Sequence, residues 1–365
     1  MIRIKARAPT GREAVLPTVW GAVAVGYKFG CPLAQQNGLG ARIVTSAVFF
    51  AVGTGLIFHV RRTLLRELRL ARRAARAAQN VVLRPPPPRL DGLNVAAAQL
   101  SADRGASVGG DLYEVIATEY GVRVVMGDVR GHGLAALGTV AALLGSFREA
   151  AHDEPELGRV LRRLDRTLGR HLRERARSEH PAHGAPDPEN PVAEEFVTVL
   201  LLEIDRDGRL RALNCGHPWP YVLRGSRVDP LSRADPLPPL GPFPLPAELE
   251  ALPCRPLLAG ESVVLFTDGA EEARDARGRF FSLPEALREV ARHHPVSPQT
   301  VLRMVFAALR HHAPGPPTDD IAVLVLRNDR GGACRTSPAA RDGEAGGSAA
   351  RPCQAPTRPQ PSTRR

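Results

Sequence analysis

Two aspartates, Asp111 in VGGDLYEVIA and Asp128 in VRVVMGDVRGHG, stand at mirrored places in a hairpin that the sequence spells out. Residues 108–117 and 122–129 are rich in Val, Ile and Tyr, as strands are, and flank a short polar segment at 118–121. A turn symmetric about Glu119 and Tyr120 sets Asp111 directly opposite Asp128, with the carboxylates close enough to repel. Held there in ionised form, they call for a cation between them or for a shifted proton, and a divalent metal is the simpler answer. Glu119-Tyr120 is not a favoured two-residue hairpin pair, which points to a longer turn. A slip of one residue would part the carboxylates and leave two surface aspartates at strand ends. Gly109 and Gly110 before the first aspartate, and Gly127, Gly131 and Gly133 around the second, are the residue type expected where backbone comes close to an ion or a phosphate.

Further carboxylates follow the same pattern. The apolar strand SVVLFT ends in Asp268-Gly269, and Asp319-Asp320 opens another, IAVLVLR. Hard oxygen donors at strand ends, without a His or Cys cluster, favour Mg2+ or Mn2+ over Zn2+ and leave coordination positions for water. Such a site suits hydrolysis of a phosphate ester.

In order and spacing, VGGDLYE, GDVRGHG, FVTVLLLEID, NCGHPWPYVL, LFTDGAEEARD and TDDIAVLVL resemble the SpoIIE-type branch of the PPM (protein phosphatase 2C) family of metal-dependent serine/threonine phosphatases, over residues 93–327. The resemblance implies that Asp111 and Asp128 are the catalytic carboxylates and hold two Mn2+ or Mg2+ ions, with the backbone carbonyl of Val129 as a further ligand and Asp268 and Asp319 completing the site. Of the adjacent pair, Asp319 is preferred on motif position and Asp320 is the less certain ligand, since neighbouring strand residues point to opposite faces. In such a family a metal-activated water attacks phosphorus in line, without a phosphoenzyme. Arg130 and His132 are candidate substrate or loop contacts, and His217 is read as shaping a turn rather than as a general acid. Glu114 stands where the family usually has Asp, Ala270-Glu271 replaces Leu-Thr, and Ala322 replaces Thr; none of these removes a proposed ligand. The implied substrate is phosphoserine or phosphothreonine on an anti-anti-sigma-type regulator of bacterial partner switching. The alternative is a membrane-tethered pseudo-phosphatase that binds phosphoproteins without turnover.

The elements that must position these residues read as an α+β fold, for which the resemblance implies two antiparallel β-sheets sandwiched between helix layers. Apolar residues recur at helical spacing over 133–150 (Leu134, Leu137, Val140, Leu144, Phe147) and 157–172 (Val160, Leu161, Leu164, Leu168). Strands are expected at 196–204 and 210–214 and near Tyr221, and late helices at 284–293 and 298–311. The polar stretch 173–191 reads as a mobile surface loop, the proline-dense 230–246 as an extended connector, and the Gly, Ser, Pro and Arg-rich 328–365 as a disordered basic tail.

Four parts are thus expected: a membrane segment at 1–60, a linker at 61–89, the phosphatase-type domain at 90–327 and the tail at 328–365. Residues 43–60 contain no Asp, Glu, Lys or Arg and run into a basic stretch at Arg61, the pattern of a span entering the cytoplasm. Residues 14–27 are a weaker second candidate, and basic residues outside both favour a hairpin that leaves the large domain in the cytoplasm at the cell membrane. In the linker, Leu64, Leu68, Ala71, Ala75, Ala78 and Val82 follow a heptad seam, which suits either a homodimer through the linker helix or a basic helix lying on membrane lipid, and Pro85 to Pro88 end it. The net charge of +11 comes largely from arginine in the linker and tail rather than from a base-reading motif, so no nucleic acid partner is expected. The five cysteines have no metal-site spacing and form no evident disulfide framework.

Overall fold

A computed structural model describes residues 39–100, 109–131, 133–179, 195–293, 295–313, 315, 317 and 319–331, with the side chains of 39–46, 68–76, 178 and 179 outside the described set. The candidate span at 14–27, most of the basic tail and His132 lie outside the described residues.

Eleven strands and five helices of the domain build four layers, preceded by the long helix α1 (Leu39–Val82). One sheet orders β1 (Arg89–Leu90), β2 (Leu93–Leu100), β11 (Ile321–Asn328), β10 (Ser262–Phe266), β7 (Tyr221–Arg224) and β8 (Arg227–Pro230). The other orders β3 (Asp111–Thr118), β4 (Gly121–Val129), β5 (Val197–Ile204), β6 (Leu210–Cys215) and β9 (Leu252–Cys254). All pairings between these strands are antiparallel. Helices α2 (Leu134–Asp153) and α3 (Leu157–Glu179) cover the β3–β9 sheet, while α5 (Leu283–Ala291) and α6 (Pro298–His312) cover the other; the short α4 (Gly269–Glu272) follows β10.

Strand alternation explains why three apolar layers form. Val122, Val124 and Met126 of β4 and Leu200, Leu202 and Ile204 of β5 face the opposite sheet, where Val263, Leu265, Leu324 and Leu326 meet them. Val125, Val129, Val199 and Leu201 point the other way, into Leu144, Phe147, Leu161 and Leu164 of α2 and α3. Beyond the second sheet, Val264, Phe266, Val323 and Val325 pack on Leu287, Val301 and Val305. Each buried leucine or valine contributes roughly 1.5–3 kcal/mol relative to exposure, so the order of the layers follows from parity along the strands.

Several boundaries differ from the sequence reading. Helix α3 runs seven residues past Leu172, to Glu179, because Arg, Glu and Ala are good helix formers and Arg175 reaches Glu195 at 2.5 Å. The 173–179 part of the expected loop is therefore helical. At the other end, Asn328 is buried as the last residue of β11. Arg330 then bonds the Asp91 carbonyl at 2.8 Å and its carboxylate at 3.0 Å, so the ordered structure passes the expected start of the tail. The proline-dense connector is extended as anticipated, and it fastens to the sheet by bridges of Leu237 to Cys215 and Leu240 to Val197. The hairpin turn is the two-residue Glu119-Tyr120 rather than a longer one. Thr118 supplies what those two residues lack: its hydroxyl accepts from the Tyr120 amide at 3.2 Å and donates to the Gly121 carbonyl at 2.9 Å.

Helix α1 is continuous through 44 residues, about 66 Å at 1.5 Å per residue. Within it, Ala47–Glu67 is long and apolar enough to cross a membrane and none of it is buried in the fold. Helix α2 passes the same test of length and composition, but half of it is buried as a core helix of the domain. The last turn of α1 docks on the domain, where Gln79 and Leu83 are buried. There Arg148 of α2 donates to the Val82 carbonyl at 3.0 Å and pairs with Glu114 of β3 at 2.6 Å.

Candidate metal centre

The β3–β4 register brings Asp111 opposite Asp128. Both stand at even offsets from the residues that face the second sheet, so their carboxylates enter the same inter-sheet layer at its open end. From the facing sheet, Asp268 follows β10 as the N-cap residue of α4, and Asp319 and Asp320 precede β11. Four strand ends thus deliver five aspartates to one place.

Asp320, ranked below Asp319 on motif, is the buried member of that pair, whereas Asp319 is exposed and accepts the Asp320 amide at 2.7 Å. Parity along β11 carries this signal in the sequence: Ala322, Leu324 and Leu326 face the other sheet, and Asp320 continues their row. Of the five glycines singled out, Gly109 and Gly110 make room for the aspartates, Gly127 makes room for the Thr198 carbonyl, and Gly131 and Gly133 face open space. A side chain at Gly109 would collide with the Asp320 carboxylate, and one at Gly110 with the Val129 carbonyl oxygen and the Asp128 carboxylate. Gly269 likewise leaves room for the Asp320 backbone.

Electrostatics sets the site apart. Burial pushes the Asp111 carboxyl well above its usual range, and the neighbouring carboxylates of Asp128, Asp320, Asp319 and Asp268 push it further. Asp128 is raised to about 8 by burial and by Asp268, Asp319 and Asp320, against a small lowering from the Val129 amide. Asp268 is raised too, by burial and then by Asp319 and Glu272. Among the described residues no three His, Cys, Asp or Glu side chains already converge at ligand spacing. The donor chemistry nonetheless fits Mg2+ or Mn2+: hard oxygens only, a backbone carbonyl at Val129, and a glycine-lined approach that any Cβ would fill.

Two residues that the sequence reading did not single out hold these strands. Thr267, fully buried, donates to Asp111 Oδ2 at 3.3 Å and accepts the Ala322 amide at 2.8 Å. Thr198 accepts the Asp128 amide at 3.2 Å and meets His217 Nδ1 at 3.0 Å. His217 is buried, with its backbone clasped by the Asn214 side chain at 2.8 and 2.9 Å, and burial lowers its pKa to about 3. A neutral imidazole at every working pH cannot serve as a general acid, which agrees with reading this histidine as shaping the NCGHPWP turn. Arg130 is exposed and its guanidinium lies 5.4 Å from the Phe196 ring centroid.

A two-sheet sandwich between helix layers, with aspartates at one end of the inter-sheet layer, is the architecture that the resemblance to the PPM family implies. The sequence agrees: residues 118–329, more than half of the chain, match the family model for stage II sporulation protein E (SpoIIE), and the chain belongs to that family. No curated protein matches it. Among solved structures it is similar to the RsbU and RsbW domains of a Mycobacterium tuberculosis protein, with 21% identity over 65% of this chain and 60% of that one and a TM-score of 0.47. The SiaA-PP2C domain of Pseudomonas aeruginosa matches at 18% identity over 73% of this chain and 98% of its own, with a TM-score of 0.49. The PP2C phosphatase domain and regulatory-domain fragment of SpoIIE from Bacillus subtilis matches at 16% over 67% and 64%, with a TM-score of 0.48. The chain spans less than two thirds of the length of the first of these structures.

Proposed function

We propose that this chain is a membrane-anchored, Mn2+- or Mg2+-dependent phosphatase acting on phosphoserine or phosphothreonine of a small anti-anti-sigma-type regulator. The observation that carries the catalytic part is the placing of Asp111, Asp128, Asp268, Asp319 and Asp320 at four neighbouring strand ends, where burial and adjacent carboxylates raise the pKa of Asp111, Asp128 and Asp268. Those side chains and the Val129 carbonyl would hold the ions. Two divalent cations there supply an activated water and offset the charge that develops on the transferring phosphoryl group.

The chain's own residues prepare that site. Asp111 is fixed through one oxygen by Thr267, which leaves Oδ1 for a cation. Gly109 and Gly110 let Asp320 and the Val129 carbonyl come close without a side chain between them. Asp320 and Asp319 are both offered as donors, the first by burial and the second by motif. Arg130, exposed just past the end of the strand that carries Asp128, is the candidate contact for a substrate phosphate.

Family membership supports the partner-switching substrate. Membrane anchoring rests on Ala47–Glu67, and the basic residues that follow it support a domain on the cytoplasmic side. The chain divides at 60, 89 and 327 on this reading, with α1 passing from the span into the linker. A homodimer through the linker seam remains part of the proposal, although Val82, its last position, packs on the domain itself.

The test is phosphate release from a phosphoserine peptide and an aryl phosphate, with Mn2+, with Mg2+, with chelator, and in Asp128→Asn. Release that needs the ion and disappears in the variant supports the enzyme. Tight binding of phosphoprotein without release under any ion would favour the pseudo-phosphatase instead.

A further inference from the structure

The two sheets could slide past each other at their open end unless something crosses the gap there, and apolar contacts are poor at fixing position to the tenths of an ångström that a two-ion site needs. One hydroxyl group crosses it, and a second braces Asp128 within its own sheet. Thr267 belongs to the β10 side and bonds Asp111 of β3 in the other sheet, while the same oxygen accepts the amide of Ala322, two residues beyond Asp320. Its backbone amide also bonds the Ala322 carbonyl at 3.1 Å, so β10 and β11 are locked where both aspartate-bearing ends emerge. Thr198 of β5 accepts the amide of Asp128, and its oxygen lies 3.0 Å from Nδ1 of the buried His217 in the turn after β6.

A threonine hydroxyl has one proton and two lone pairs. Thr267 accepts the Ala322 amide on one lone pair and gives its proton to Asp111 Oδ2. Thr198 accepts the Asp128 amide on one lone pair and bonds His217 Nδ1, as donor or as acceptor according to the imidazole tautomer. Among the described residues Nε2 of His217 is buried without a hydrogen-bond partner. The Asn214 side chain holds the His217 backbone at both its amide and its carbonyl, so the ring has a fixed base from which to act.

We infer that Thr267 and the Thr198–His217 pair are positioning residues of the hydrolytic site: one buried hydroxyl ties Asp111 to the facing sheet, and the other fixes Asp128 within its own. This rests on the phosphatase reading. A merely structural role would require only that these polar groups be satisfied. Thr267, however, bonds the carboxylate of Asp111 and adjoins Asp268, and Thr198 holds the amide of Asp128, so both hydroxyls act on the aspartates themselves, which packing alone does not explain.

The test compares Thr267→Val, Thr267→Ser, Thr198→Val and Thr198→Ser in the full-length chain in detergent. It measures Mn2+ affinity by electron paramagnetic resonance, unfolding temperature in chelator, and phosphate release against Mn2+ concentration. The valines keep shape and lose the hydroxyl. Loss of such an outer-shell partner is expected to weaken Mn2+ binding by about ten- to hundredfold, with serine restoring it to within about threefold and high Mn2+ recovering turnover. Should Thr267→Val fail to fold, Thr198→Val carries the same expectation at Asp128. A folded valine variant at either site that binds Mn2+ like the unsubstituted chain, or that loses only unfolding temperature, overturns the inference while leaving the phosphatase reading intact. An unsubstituted chain that neither binds Mn2+ nor releases phosphate sinks both.

Discussion

Strand β4 carries two buried charges with opposite fates. Near its start, Arg123 is fully buried on the helix-facing side, and all five of its donors are engaged. Nε and Nη2 bond Glu203 Oε2 at 2.9 and 2.7 Å, Nη1 bonds the Ala151 carbonyl at 2.9 Å and that of Glu154, and Nη2 also reaches the Pro155 carbonyl at 2.7 Å. Arg211 adds a second cation 3.4 Å from the other Glu203 oxygen. Near the end of the same strand, on the opposite face, Asp128 meets further carboxylates, and its pKa climbs to about 8. The first cluster is complete within the chain and closes the carbonyl end of α2 against the sheet. The second has charge of one sign only and reaches low energy with bound protons or bound cations. A fold that tolerates the second is one built to receive something there.

The comparison breaks most visibly at Asp128. Asp128→Asn removes a ligand and also relieves repulsion, so the two properties should move in opposite directions. Metal-dependent phosphate release is expected to fall by about a thousandfold or more, the scale of losing direct charge stabilisation in a transition state. Stability in chelator is expected to rise by about 1–3 kcal/mol, since a raised carboxyl pKa reports a charged form that the fold disfavours. Denaturant melts with and without Mn2+ would decide it, and a variant less stable in chelator than the parent would contradict the one-sign picture.

Arg123 should behave in the reverse way. Arg123→Met leaves Glu203 buried beside a single partial partner and three carbonyls without donors, which costs about 3–5 kcal/mol. Mn2+ affinity of the molecules that remain folded should be unchanged. Titration of Mn2+ into the folded fraction separates the two effects, and a loss of affinity would mean that the two ends of β4 are coupled.

How far the sequence exposed these clusters differs between them. The acidic one was legible, because a hairpin with nearly symmetric strands sets Asp111 opposite Asp128 whatever the turn chemistry, and the glycines mark the close approach. Turn length was misread because the stabilising group, the Thr118 hydroxyl, lies outside the two central residues by which hairpins are classified. The burial of Asp320 was available from parity on β11, although motif position drew attention to Asp319. Arg123 was invisible: one arginine in VRVVMG reads as the polar member of an alternating strand, and its partner Glu203 comes 80 residues later. The alanine-rich β2 has little strand propensity and is held by its full pairing with β11, a tertiary effect that local composition does not carry. Thr267 and Thr198 are ordinary strand threonines until their neighbours are known.

Changing pH should sharpen the contrast within the site itself. The folded pKa of Asp128, about 8, lies above its ordinary value of 3.8, so in chelator the stability it contributes is complete below about pH 4 and is lost as pH rises through 8. His217 works in the other direction: with a folded pKa of about 3 against an ordinary 6.5, it withdraws stability as pH falls from about 6.5 toward 3. The two slopes oppose and cancel between about pH 4 and 6.5, so on these two groups unfolding free energy in chelator is expected to be flat there and to fall by about 2 kcal/mol from pH 6.5 to 8, at about 1.4 kcal/mol per pK unit. Saturating Mn2+ should remove the alkaline decline, because the ions replace the protons. Equilibrium melts from pH 4 to 9, with and without Mn2+, test this, and an alkaline decline that persists with bound Mn2+ would count against carboxylate repulsion as its source.

The smallest effect concerns a third ion pair, intermediate between the other two. Glu114, at a position where the resemblance leads one to expect Asp, lies on β3 three residues from Asp111 and pairs with Arg148, whose guanidinium also bonds the Val82 carbonyl at the end of α1. The longer side chain lets the carboxylate span from the strand to an arginine on α2, and the arginine in turn holds the helix that leads to the candidate membrane span. Both side chains keep partial solvent contact, at 29% and 13% exposure, so the pair contributes less than the sealed Arg123–Glu203 pair. Arg148→Met should cost about 1 kcal/mol and raise hydrogen exchange at residues 79–83 before any other part of the domain loosens. Unchanged exchange there, with an equal loss of stability, would mean that Arg148 serves only the sheet; faster exchange confined to the end of α1 would mean that the long helix is held to the metal-bearing hairpin through this one guanidinium.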